Sequence, residues 1–120
     1  MKILIVEDEP ALRELVQRSL EKERYVTEVA ADFDSALEKI ELYDYDCVLL
    51  DIMLPGGSGL DLLERLKELR KKENVIIISA KDSLDDKVLG LAIVDAVCRV
   101  SRLKVGYRLV EGMHQMEVYS

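Results

Sequence analysis

Short apolar runs alternate with amphipathic stretches along the first three quarters of this chain. Ile3–Val6, Cys47–Leu50 and Val75–Ile78 are continuous apolar runs rich in β-branched residues. Such runs suit central parallel strands covered on both faces. Tyr25–Ala30 reads as a further short strand. Between them, apolar residues recur at helical spacing. The first helix follows Pro10, with Asp8 or Glu9 as its cap. Ala11, Leu12, Leu15, Val16, Ser19 and Leu20 face inward, and Arg13, Glu14, Gln17 and Arg18 face outward. A second helix starts at Asp34 or Ser35 and turns Ala36, Leu37 and Ile40 inward. Ser58 caps a third, running through Leu60, Leu63, Leu66 and Leu69 to a basic last turn at Arg70-Lys71-Lys72. Ser83 and Asp86 form a capping-box pattern for a helix through Val88 and Leu91. This βαβαβαβα order predicts an α/β fold, a doubly wound parallel sheet with helices on both faces.

The chain's 120 residues, 49% hydrophobic and 34% charged, suit one globular domain with a real core. A net charge of −7 argues against direct nucleic-acid binding, which requires neutralising phosphates. No apolar run approaches the ~20 residues of a membrane span. The start, MKILIVEDEP, turns acidic too soon for a signal peptide. Cys47 and Cys98 have no zinc-type spacing, so they read as two buried thiols in a reducing cytoplasm.

In open parallel sheets, ligands bind beyond the carboxyl ends of the strands. The residues there are Glu7 and Asp8 after the first strand, Asp51 ending the third, and Ser79 ending the fourth. Singly, each has an ordinary explanation as a cap, a loop acid or a strand-end hydroxyl. Together, three carboxylates at one edge repel one another unless a cation lies between them. A hard divalent ion held by few carboxylates is magnesium-like. An aspartate beside it can take a phosphoryl group as an acyl phosphate, and a nearby hydroxyl can bind a phosphoryl oxygen and reposition a loop.

The segments Ile3-Leu-Ile-Val-Glu-Asp-Glu-Pro10, Asp46-Cys-Val-Leu-Leu-Asp51, Met53-Leu-Pro55 with Gly59, and Val75-Ile-Ile-Ile-Ser79-Ala80 resemble the receiver domains of two-component response regulators. The resemblance spans residues 1–91. It implies a flavodoxin-like sheet of order 2-1-3-4-5. It further implies Asp51 as phosphoacceptor, with Glu7, Asp8, Asp51 and the Met53 carbonyl serving magnesium. Ser79 becomes the switch hydroxyl, and Ala80 the small residue beside the phosphate. The implied partner is a sensor histidine kinase in the cytoplasm, and a homodimer is among the assemblies it allows. The domain is then a signalling module, not an enzyme. A phosphohydrolase of the aspartate-nucleophile type would carry a second acid where Pro10 stands. A flavodoxin's phosphate would be repelled by Glu7-Asp8-Glu9.

Residues 92–120 depart from that pattern. The family continues into a fifth strand with a switch aromatic, then Lys-Pro and a last helix. Here Ala96–Val100 is the candidate fifth strand, and Ser101-Arg102 stands where Lys-Pro belongs. Neither role transfers to Lys104 or Tyr107. Within Lys104–Tyr119, apolar alternation favours β structure over a helix interrupted by Gly106 and Gly112, and the sole histidine, His114, reads as a surface or packing residue. The expectation is a single receiver-like domain over residues 1–120, whose atypical tail, 92–120, is divergent, foreign or exchanged with another chain. The missing lysine implies impaired switching; the alternative is a receiver-like scaffold or hybrid protein that does not switch.

Overall fold

The computed structural model describes residues 1–71, 73–78, 86–103, 108–111 and 114–119. In chain order the elements are β1 (Lys2–Val6), α1 (Pro10–Lys22), β2 (Val26–Ala30), α2 (Phe33–Leu42), β3 (Cys47–Asp51), β4 (Met53–Leu54), β5 (Gly57–Ser58), α3 (Gly59–Glu68), β6 (Asn74–Ile78), α4 (Asp86–Leu103), β7 (Arg108–Glu111) and β8 (His114–Tyr119). The main sheet has the order β2-β1-β3-β6-β8-β7. Its first four strands are parallel, giving the expected doubly wound arrangement, with the four parallel strands in the order 2-1-3-4.

Every residue of β3 is buried, as a strand covered on both faces requires. Strand alternation divides the core in two. Ile3, Ile5, Cys47, Leu49, Ile76 and Ile78 pack against Val16 and Leu20 of α1 and against α4. Leu4, Val6, Val48, Leu50, Val75 and Ile77 pack against Ala36 and Ile40 of α2 and against Leu62, Leu63 and Leu66 of α3.

Several expected details change. Asp32, not Asp34 or Ser35, caps α2, because its carboxylate accepts from the Ser35 N–H at 2.8 Å. In α3 the inward stripe is Leu62, Leu63 and Leu66, whereas Leu60 is half exposed and Leu69 forms the C-cap. The expected basic last turn lies past the helix. Arg70, at φ 55°, donates its N–H to the Lys67 carbonyl, and the Lys71 N–H bonds the Leu66 carbonyl, a Schellman ending. Lys72 and Ser83 lie outside the described residues.

The larger correction is at Ala96–Val100, which is helix rather than a fifth strand. Leu89, Ile93, Ala96, Val97 and Val100 fall on one helical face and are at most 2% exposed, while Leu91 is 72% exposed. A stripe with that spacing, set over the β1–β3–β6 surface, buries far more as helix than an alternating strand would. Cys98 therefore sits on a helix and is only partly buried, its Sγ 3.1 Å from the Tyr25 hydroxyl, while Cys47 is fully buried. The β reading of the tail agrees with the hairpin of β7 and β8. β8 takes the fifth place in the sheet but runs antiparallel to β6, pairing Ile78 with Met116 and Val75 with Tyr119. Lys104 and Tyr107 lie outside the described residues.

At the far edge of the sheet, Glu28 of β2 accepts from Lys2 at 2.7 Å, from the Tyr45 hydroxyl at 2.8 Å and from Lys39 at 3.4 Å. These donors favour its charged form and hold its pKa at about 2, below the ordinary 4.5. A carboxyl depressed in this way stabilises the fold above its unfolded pKa and loses that contribution as pH falls through the folded value. Urea denaturation from pH 5 down to about 2 is expected to show stability falling, with a shallower slope in Glu28→Gln. Equal slopes would mean that these contacts are not made in solution.

Candidate functional site

Parallel register sets Ile5 beside Leu49, so Glu7, two residues on, comes level with Asp51 at the end of β3. Both belong to the alternation set facing α1 and α4. Glu7 is 5% exposed and Asp51 4%, whereas Asp8 is half-buried. One carboxylate oxygen from each of Glu7, Asp8 and Asp51 lies within 4.8 Å of the others. Two of these acids are thus almost out of water, where like charges repel more strongly than at a surface. The sequence-predicted trio is brought together as expected.

The loop that carries Glu7 and Asp8 is fixed from several sides. The Glu7 N–H donates to the Ala30 carbonyl at 3.0 Å, continuing the β1–β2 pairing by one residue. The Glu9 N–H donates to Glu7 Oε2 at 3.0 Å. Glu9 itself caps α1, accepting from the Ala11 and Leu12 N–H groups at 3.1 and 2.7 Å, with Pro10 opening the helix. Arg13 Nη1 donates back to the Glu7 carbonyl at 3.0 Å and the Asp8 carbonyl at 3.4 Å. Arg13 was not legible as part of the site; its spacing marks it only as an outward residue of α1.

After Asp51 the chain makes a small hairpin, with Leu54 paired to Gly57 and Met53 to Ser58. Pro55 and Gly56 form its corner, and Gly56 at φ 87° occupies the left-handed region that the second corner of a type II turn requires. The Phe33 N–H bonds the Pro55 carbonyl at 3.1 Å and its ring lies against Gly57, anchoring the hairpin to α2. Ser58 caps α3, accepting from the Leu60 N–H at 3.1 Å. The Gly59 N–H donates to the Ile52 carbonyl at 2.7 Å. β6 ends at Ile78, paired with Asp51. Ser79 and Ala80 lie outside the described residues.

The family model described as the response regulator receiver domain matches residues 3–98. The chain belongs to that family of signalling domains, which accept phosphate from sensor histidine kinases and in general bind Mg2+. The transcriptional regulatory protein DltR of Streptococcus agalactiae is 44% identical over 91 residues, 76% of this chain and 41% of DltR. This chain therefore spans about two fifths of that relative's length. The receiver domain of the Francisella response regulator 1452 superposes with a TM-score of 0.70 at 30% identity, covering 85% of this chain and 94% of that one. The response regulator TrrA of Thermotoga maritima, solved in complex with Mg2+–BeF, superposes with a TM-score of 0.59 at 38% identity, covering 62% and 64% of the two chains. The fold is thus flavodoxin-like. Among the described residues, no helix is long and apolar enough to cross a membrane.

Gly59 makes the tightest approach around Asp51. A Cβ there would collide with the Asp51 carbonyl oxygen and press on the Ile52 Cα, both backbone atoms that cannot step aside alone. Gly59→Ala is expected to lower stability by about 1–3 kcal/mol in urea denaturation and to shift the Asp51 and Ile52 amide resonances. Wild-type stability with unmoved resonances would show that α3 does not seat against this loop.

Proposed function

We propose that the chain is a single phosphoacceptor receiver domain in which Asp51 takes a phosphoryl group in a magnesium-dependent step. The observation that carries this reading is the convergence of the Glu7, Asp8 and Asp51 carboxylates at the carboxyl edge of the sheet. Three acids so close, two of them buried, form a hard, all-oxygen donor set that fits a small divalent cation. Glu7, Asp8, Asp51 and the Met53 carbonyl would hold magnesium, which when bound supplies positive charge against the phosphoryl oxygens. A carboxylate oxygen of Asp51 attacks the phosphorus of a phosphohistidine on a sensor kinase. The O–P bond forms as the P–N bond breaks, and the electron pair returns to the imidazole nitrogen, which regains a proton. Ser79 and Ala80, next along from Ile78, are assigned to contact the phosphoryl group. The setting is the cytoplasm, without direct nucleic-acid contact by this chain, and self-association as a homodimer is compatible with it.

Treatment with a small acyl-phosphate donor and magnesium, followed by peptide mapping, is expected to place the phosphoryl group on Asp51 and to give none in Asp51→Asn. Label elsewhere, persisting in that variant, would overturn the assignment.

Phosphorylation in this chain is proposed to switch conformation little. Ser101, where the family has its lysine, belongs to the last turn of α4, and β8 runs antiparallel in the fifth position. A neutral serine cannot supply the charge-assisted contact of an ammonium, worth ~1.5–3 kcal/mol, against allosteric couplings of only ~1–3 kcal/mol. With magnesium and beryllium fluoride, amide shifts are expected to stay within the Asp51 loop. Equally large shifts across Ser79–Leu91 and residues 96–110 would show that coupling survives.

A further inference from the structure

We infer that Arg13 is a positioning residue for the acid loop, holding Glu7 and Asp8 in the geometry that receives the cation. The inference rests on reading the acid trio as the magnesium site. Its own observation is separate. Arg13 Nη1 reaches back from α1 to the carbonyl of Glu7 at 3.0 Å and that of Asp8 at 3.4 Å, the two residues whose side chains converge on Asp51.

Two features set this contact apart from an ordinary surface arginine. Arg13 lies at the start of α1, its own N–H donating to the Glu9 carbonyl, and the first turn of that helix contains no acid. A cation at a helix N-terminus opposes the macrodipole, and the Glu9 carboxylate at the cap together with the two carbonyls offsets this. In addition, the carbonyls belong to consecutive peptides, so one guanidinium nitrogen fixes the turn between them. With the Glu7 N–H on Ala30 and the Glu9 N–H on Glu7 Oε2, both ends of the loop are tied already. Arg13 ties the middle.

A role by position and a role by charge have opposite signs. If Arg13 acted only as a nearby cation, its removal would relieve repulsion and tighten magnesium binding, most at low salt. If it holds the loop, its removal lets the mutually repelling acids spread apart, and binding weakens.

The test is a calorimetric magnesium titration of the full chain, comparing wild type, Arg13→Ala, Arg13→Lys and Asp8→Asn under conditions where circular dichroism shows each folded. Metal-free amide spectra are recorded alongside. Arg13→Ala is expected to bind magnesium about tenfold more weakly. Arg13→Lys, which keeps a donor able to reach one carbonyl, should recover part of that loss. The Glu7–Glu9 amides should move in metal-free Arg13→Ala. Unchanged or tighter binding in Arg13→Ala, or unmoved amides, would overturn the inference. Failure of the underlying site has its own signature: wild type and Asp8→Asn would then respond to magnesium alike, and the metal-free amides alone would decide whether Arg13 holds the loop.

Discussion

Mutual repulsion of three carboxylates within 4.8 Å is the constraint around which this end of the molecule is built. At an effective dielectric of about 20, two unit charges at that separation repel by about 3–4 kcal/mol. A flexible loop would relax by turning the acids outward. The chain prevents this by making their positions consequences of the sheet. Asp51 ends a strand buried on both faces, Glu7 continues the β1–β2 pairing, and parallel register brings the two level. The strain is offset by contacts elsewhere and leaves an edge preorganised for positive charge.

The surrounding loops share this logic. Gly59 lets α3 begin against the Asp51 carbonyl, Phe33 clasps the hairpin at Pro55, and Glu9 satisfies the first N–H groups of α1 while its own N–H bonds Glu7. Each contact draws on at least one backbone group, and the Glu9 N–H also donates to the Glu7 carboxylate itself.

Elements whose composition and environment agree were readable from the letters. The strands at Ile3, Cys47 and Val75, the cap at Ser58, and the acid edge all follow from local pattern plus the rule that ligands meet strand carboxyl ends, while the choice of Glu9 over Asp8 as the α1 cap came from the structure. Ala96–Val100 departs from expectation because the family template supplies a strand there, although the apolar spacing from Leu89 to Val100 is helical. Leu60, Leu69 and Leu91 fit an inward stripe by spacing, yet the sheet covers a different face of α3 and α4. Periodicity defines a stripe's width but not its centre when leucines are abundant. Arg13 was invisible for a different reason: its acceptors are carbonyls, which every residue has.

Strand direction bears on the tail as much as residue identity does. A fifth parallel strand would deliver the residue after it to the edge that holds Asp51. β8 runs the other way, so Tyr119, opposite Val75, is at the far edge and the residues near the acid edge precede Met116. Met116 pairs with Ile78, which pairs with Asp51, so its backbone stands two strand spacings, about 10 Å, from the acid. A missing charge and a reversed strand therefore both support the limited switching proposed above. Substituting Ser101 by lysine would address only the first, and from within a helix.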